Sequence, residues 1–154
     1  EFPEASDSLM FWLMTNLFSM WMFTIAVLAM VAVSQATFTY NCMKCIREVE
    51  GGQEGVCNPD AGSTACGPYQ IHYPYWLDCY QPGGGWQACT KYTACSETCV
   101  KAYMNRYGTW CTGGRTPTCR DYAMIHNGGP DGCQENLVDY WNKVNNCCQR
   151  VGGC

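Results

Sequence analysis

Three glutamates and an aspartate gathered within a short stretch are the residues of this chain best suited to chemistry. Glu48, Glu50 and Glu54 surround the pair Gly51-Gly52, and ten residues after Glu50 comes Asp60, inside Cys57-Asn58-Pro59-Asp60-Ala61-Gly62-Ser63. Two carboxylates carried on separate elements are the raw material of glycoside hydrolysis. One keeps a proton to give to the leaving oxygen, while the other stays ionised to stabilise or trap the oxocarbenium centre. Solvated acids at a helix end fit the same cluster. Periodicity sets Glu50 on the border of an apolar stripe and Glu48, only slightly less well placed, on its other flank, which favours Glu50 weakly.

The other constellations are weaker. Cys42-x-x-Cys45 together with His72 and His126 has the residue types of a zinc site, but in a chain rich in paired cysteines disulfides are the better reading, so no metal and no cofactor is expected. Ser63 with His72 or His126 has a nucleophile and a base without a third partner. Gly83-Gly84-Gly85 has no following Lys-Ser/Thr and is a turn, not a phosphate loop. Tyr69, Gln70, Tyr73, Trp76 and Tyr103 are suited to line a sugar cleft or, equally, to pack a core.

These residues need elements to position them. Cys42, Cys45, Ile46 and Val49 follow the spacing of a buried helical stripe, predicting a helix over 40–50 that Gly51-Gly52 ends. Between 53 and 89, Pro59, Gly62, Gly67, Pro68, Pro74, Pro82 and the glycine triplet forbid long helices and predict short strands and turns, with a small sheet around Tyr69-Gln70-Ile71. Helical spacing returns over 90–107, stopped by Gly108, then over 117–126 with Thr116 as N-cap, and over 135–148, burying Leu137, Val138, Trp141 and Val144. The fold class is α+β, mostly helical with a small antiparallel sheet.

All fourteen cysteines lie between Cys42 and Cys154. An even, dense set belongs to a chain that folds in an oxidising compartment, so the protein is expected to be secreted and stapled by up to seven disulfides. Cys147 and Cys148 should take different partners, because a vicinal bridge is strained. Residues 9–33 are almost continuously apolar and uncharged. They read as a secretory signal, with Ser34-Gln35-Ala36 placing the cut after Ala36, the acidic residues 1–9 as non-native leader, and 37–154 as the working domain. The run exceeds the ~7–15 residues of a signal core and approaches the ~20 of a membrane span, which makes an uncleaved anchor the alternative. Three of the thirteen acids and none of the nine bases lie in residues 1–36, so the formal charge of −4 for the whole chain becomes −1 for the remainder. Nucleic acid and anionic membranes, which need clustered Lys and Arg, are excluded as partners held by bulk charge. A monomer or weak dimer is expected.

From Cys42 to about Cys148 the chain resembles the invertebrate-type lysozymes, including the destabilase-like members. The matching stretches are Cys42-x-x-Cys45 followed by Glu50, Asp60-Ala61-Gly62-Ser63, Cys66-Gly67-Pro68-Tyr69-Gln70-Ile71 and Pro74-Tyr75-Trp76-Leu77-Asp78-Cys79. Further on, Cys95-Ser96-Glu97-Thr98-Cys99-Val100-Lys101-Ala102-Tyr103-Met104, His126-Asn127-Gly128-Gly129-Pro130 and Tyr140-Trp141-Asn142 also match. The resemblance implies a lysozyme-like fold and cleavage of the β-1,4 bond between N-acetylmuramic acid and N-acetylglucosamine in bacterial peptidoglycan. Glu50 takes the general-acid position and Asp60 that of the second carboxylate in a retaining mechanism, with Tyr69, Gln70, His72, Trp76, Tyr103, His126 and Asn127 as substrate-binding residues.

The departures from the family pattern are specific. Arg47 and Gln53 stand where the family carries two cysteines, as loss of one local disulfide would look, and the interval from Glu50 to Asp60 is about two residues shorter. The serine and lysine to which the isopeptidase activity of destabilase-like members is attributed are replaced by Ala65 and His72, which predicts weak or absent activity by that route. Besides a muramidase, the sequence admits a non-catalytic glycan-binding disulfide domain and a γ-glutamyl-lysine isopeptidase using Ser63.

Overall fold

The computed structural model describes residues 40–60 and 62–154. The expected leader, with its cut after Ala36, lies outside the described residues. Helix α1 occupies 40–50 and buries Cys42, Cys45 and Ile46 of the expected stripe together with Met43, while Val49 is half-buried. Gly51 ends it in the left-handed region with φ 63°. At Gly52 a side chain is impossible, because a Cβ would lie 2.0 Å from the Gly67 carbonyl oxygen. The chain leaving the helix is thereby pressed against the sheet.

That sheet has three antiparallel strands in the order β1 (Cys57–Asp60), β2 (Ser63–Cys66) and β3 (Ile71–His72). Cys57 pairs with Cys66 and Asp60 with Ser63, so Asp60 sits at the hairpin tip, while Ala65 pairs with His72 on the other side. A small sheet was expected around residues 69–71. Its strands begin twelve residues earlier, and Tyr69-Gln70 form the turn into β3, with Gln70 at φ 47° and its backbone N–H on Gly67 O. Two short helices follow, α2 (Tyr73–Asp78) and α3 (Trp86–Thr90).

The long helix α4 (Thr93–Cys111) packs against α2, α3 and α5 (Cys119–Gly128), and α5 packs against α6 (Val138–Arg150). Three helix boundaries differ from expectation. Gly108 does not stop α4: it is buried within the helix, where a Cβ would meet Pro117 and Tyr122 at 3.0 and 3.1 Å, so it is small for packing. The N-cap of α5 is Thr118, not Thr116, because Thr118 and Asp121 form a reciprocal capping box. Residues 132–134 form a 3-10 turn before α6, which starts at Val138 and leaves that residue 43 % exposed; Val144 is buried as expected, while Leu137 and Trp141 are only half-buried.

All fourteen cysteines are paired: Cys42–Cys119, Cys45–Cys147, Cys57–Cys66, Cys79–Cys99, Cys89–Cys95, Cys111–Cys133 and Cys148–Cys154. Cys147 and Cys148 take different partners, as strain requires. Two bridges run from α1, one to α5 and one to α6. Around them lies a core of Ile46, Tyr69, Ile71, Val100, Ile125 and Val144.

Candidate active site

The three acids of the cluster part company in the structure. Glu48 is half-exposed and pairs with the Arg150 guanidinium. Glu54 reaches across to the start of α4, where its Oε1 accepts from the Thr93 N–H at 3.0 Å and from the Thr93 hydroxyl. That helix start has no side-chain cap of its own, so Glu54 supplies one, and the Thr93 hydroxyl and N–H hold its carboxyl below the ordinary carboxylate range. Glu50 alone turns inward. Its side chain is 15 % exposed.

Helix geometry explains where Glu50 arrives. Residues seven apart on a helix lie two turns apart on one face, about 10 Å along the axis. His126 stands seven residues after Cys119 on α5, and Tyr140 stands seven before Cys147 on α6. The two bridges from α1 pin these helices at Cys42 and Cys45. Eight residues past Cys42 and five past Cys45, α1 delivers Glu50 between His126 and Tyr140. The pairings make α5 run with α1 and α6 run against it.

Tyr140 donates its hydroxyl to Glu50 Oε1 at 2.5 Å. His126 Nε2 lies 3.6 Å from the same oxygen, beyond hydrogen-bond range, and 3.1 Å from the carbonyl oxygen of Tyr69. A carbonyl only accepts, so Nε2 carries the proton and Nδ1 is left to accept from the Tyr75 hydroxyl at 3.2 Å. Burial pushes His126 below the ordinary imidazole value, against the opposing pull of the Glu50 charge. Its ring is therefore neutral and turns an N–H edge toward the acid. Burial likewise raises Tyr140 and Tyr75 above the ordinary phenol value, with the Glu50 charge adding to both, so both remain donors. Among the described residues Glu50 Oε2 accepts no hydrogen bond, and it is the oxygen open to a substrate.

Asp60 belongs to a different environment. It is 56 % exposed at the hairpin tip, and its Oδ2 meets His72 Nε2 at 3.0 Å. His72 approaches from β3, across β2, and its side chain is 34 % exposed. Where the family pattern has a disulfide, the loop between α1 and β1 is held by hydrogen bonds: Gly55 N–H on Lys91 O at 2.8 Å, Gly67 N–H on Val56 O at 2.9 Å, and the Glu54 cap. Arg47 faces Glu97 at 3.6 Å.

The other residues singled out from the sequence divide by burial. Tyr69 is fully buried, with its hydroxyl on Met43 O and Glu97, and its carbonyl orients His126. Trp76 is buried and donates its indole N–H to Pro82 O. Tyr103 is buried and stacks on Tyr75 with ring centroids 3.6 Å apart. Gln70 donates from Nε2 to Gly67 O in the turn before β3. Tyr73 is exposed and packs edge-on to Trp86. Asn127 faces solvent and, with Asn136, Asp139 and Tyr140, lines an open pocket of about 420 Å³. Tyr75 and Tyr140 were not singled out. Tyr140 shares a face with Val144 and Cys147 by i, i+4, i+7 spacing, a signal that marks it as inward-facing.

The destabilase family model matches residues 39–147. A lysozyme of Meretrix lusoria is 40 % identical over 115 residues, 73 % of this chain and 89 % of that protein. Invertebrate-type lysozyme 3 of Caenorhabditis elegans is 37 % identical over 131 residues, 79 % of this chain and 94 % of its own length. Among solved structures, the inhibitor-bound lysozyme from Meretrix lusoria superposes with a TM-score of 0.66 at 37 % identity, covering 74 % of this chain and 93 % of that one. The Meretrix lusoria lysozyme in complex with Aeromonas hydrophila PliI gives a TM-score of 0.64 at 39 % identity, covering 74 % and 90 %.

Proposed function

The chain belongs to the destabilase family, with the invertebrate-type lysozymes, and from that premise we propose that it is a muramidase in which Glu50 is the general acid and Asp60 the second carboxylate. The substrate is bacterial peptidoglycan, cut at the β-1,4 bond between N-acetylmuramic acid and N-acetylglucosamine. The observation that carries this reading is the separation of the three acids: Glu48 is in an ion pair, Glu54 caps a helix, and Glu50 alone is largely buried, with one carboxyl oxygen accepting no hydrogen bond among the described residues.

Protonated Glu50 donates its proton to the glycosidic oxygen. The C–O bond breaks, its electron pair stays with the leaving sugar, and ionised Asp60 traps or stabilises the anomeric carbon on the opposite face. Glu50, now ionised, takes a proton from the water that attacks that carbon. Retention of configuration follows, with both carboxyl groups restored. His126 contributes as a neutral neighbour, since a positive imidazolium 3.6 Å away would oppose reprotonation of Glu50. Asn127, Asn136 and Asp139 offer polar groups to a sugar in the pocket beside Tyr140. Tyr69, Trp76 and Tyr103 support the site from the core, and Gln70 and His72 bound it on the sheet side. We further propose that residues 1–36 are removed on secretion, the compartment that seven disulfides suit, and that a PliI-like protein is a partner.

The test is clearance of a Gram-positive cell-wall suspension by the chain produced in full through an oxidising secretory pathway. Glu50→Gln should abolish clearance, and Asp60→Asn should lower it by about a hundredfold or more. Wall binding with no clearance by the parent would make the protein a non-catalytic glycan-binding domain. Clearance that survives Glu50→Gln would remove Glu50 from the mechanism.

A further inference from the structure

We propose that Tyr140 is a positioning residue for the general acid: by donating to Glu50 Oε1 it fixes the carboxyl so that Oε2 carries the catalytic proton. The inference rests on Glu50 being that acid, as proposed above.

The argument begins with what the carboxyl can and cannot do. Its two oxygens are interchangeable in solution, and a freely turning acid presents a proton in the wrong direction much of the time. Here Oε1 is occupied by the Tyr140 hydroxyl at 2.5 Å and faces the His126 N–H edge at 3.6 Å. The Tyr140 O–H is directed at Oε1, so a proton on that oxygen would face the donor's own hydrogen, while the His126 N–H goes to the Tyr69 carbonyl. Oε2, without a partner among the described residues, is the one site left for it. The groups facing Glu50 come from three elements: Tyr140 from α6, His126 from α5, and Tyr75 from α2 through the His126 ring. On α1 itself, Glu48 is occupied by Arg150.

The same hydrogen bond changes strength during the reaction. While Glu50 is protonated, Oε1 is a neutral carbonyl oxygen and the bond is an ordinary one. As the proton leaves Oε2, negative charge spreads onto Oε1 and the bond becomes charge-assisted, roughly twice as strong. Only interactions that strengthen toward the transition state accelerate the chemical step. Tyr140 meets that condition without touching substrate at the reacting atoms, and it does so from a half-buried position where the phenol stays protonated.

The test compares the parent with Tyr140→Phe and Glu50→Gln, all produced as the full chain, on soluble peptidoglycan strands of defined length. Tyr140→Phe removes one oxygen and keeps the ring that packs α6, so thermal melting should stay close to that of the parent. The expected result is a fall in kcat of about ten- to a hundredfold with KM within about twofold, the loss of one hydrogen bond to a charged group. The alkaline limb of the kcat/KM profile should move to higher pH, because a carboxylate that has lost a donor holds its proton longer. Unchanged kcat and an unmoved alkaline limb in Tyr140→Phe, beside an inactive Glu50→Gln, would overturn the role of Tyr140 alone. An active Glu50→Gln would instead sink the assignment of the acid.

Discussion

The two carboxylates proposed for catalysis are held in opposite ways. Glu50 comes from a helix cross-linked to two other helices, sits 15 % exposed, and is held by a half-buried phenol beside a neutral imidazole. Asp60 comes from the tip of a two-strand hairpin, is 56 % exposed, and is held by one half-exposed histidine. An acid that must keep and then return a proton gains from a fixed, dry neighbourhood, whereas a carboxylate that must stay ionised is served by water. The helical side is accordingly rigid and desolvated, and the sheet side open.

The largest effect that divides the two sides should come from their disulfides. Cys45–Cys147 closes 102 residues and ties the helices of Glu50 and Tyr140, while Cys57–Cys66 closes nine and clasps the hairpin. Loop-closure entropy gives roughly 4–5 kcal/mol for the first and under about 3 kcal/mol for the second. Urea unfolding of the two double-alanine variants should rank them in that order, and equal midpoints would erase the distinction. Next come the histidines. His126→Ala empties a buried position and strands the Tyr75 hydroxyl, at a cost of about 2–4 kcal/mol, whereas His72→Ala breaks a surface pair worth under about 1 kcal/mol.

The pH dependence sharpens the same contrast. His126 lies below the ordinary imidazole value because it is buried, so the stability its neutral ring contributes is present above about pH 6.5 and is lost as pH falls through its lowered value. The urea midpoint of the parent should therefore drop on acidification below pH 6.5, and in His126→Gln that part of the drop should vanish. The smallest effect belongs to the hairpin: His72→Gln should change turnover by less than about fivefold, since the Asp60 pair is largely in water. A hundredfold loss there would mean that Asp60 is as tightly governed as Glu50.

The helical side was the more legible in the sequence. Apolar spacing placed α1 and its glycine stop correctly, and the even cysteine count gave the class of scaffold, because both signals are local or compositional. What separates Glu50 from Glu48 and Glu54 is not local. It depends on Arg150, Thr93 and Tyr140, residues that lie 102, 39 and 90 positions away in the chain. The aromatic residues divide for the same reason: a tyrosine reads alike whether it lines a cleft or fills a core, and Tyr69, Trp76 and Tyr103 fill the core. Boundaries failed where a residue serves packing or capping instead of punctuation. Gly108 admits Pro117 and Tyr122, and Thr118 rather than Thr116 meets Asp121.

The contact between Asn41 and Gly153 carries a topological consequence. The Asn41 side-chain amide donates to the Gly153 carbonyl at 2.8 Å, so the start of α1 and the tail beyond α6 meet on the surface. A short linker joining those two points would turn the domain into a closed ring without moving an element. The ring has a natural place to be reopened in the exposed Gly113-Gly114 turn between α4 and α5. Such a rearranged chain would carry its termini away from α1, leaving Glu50, His126 and Tyr140 joined by the same cross-links in a new order of synthesis.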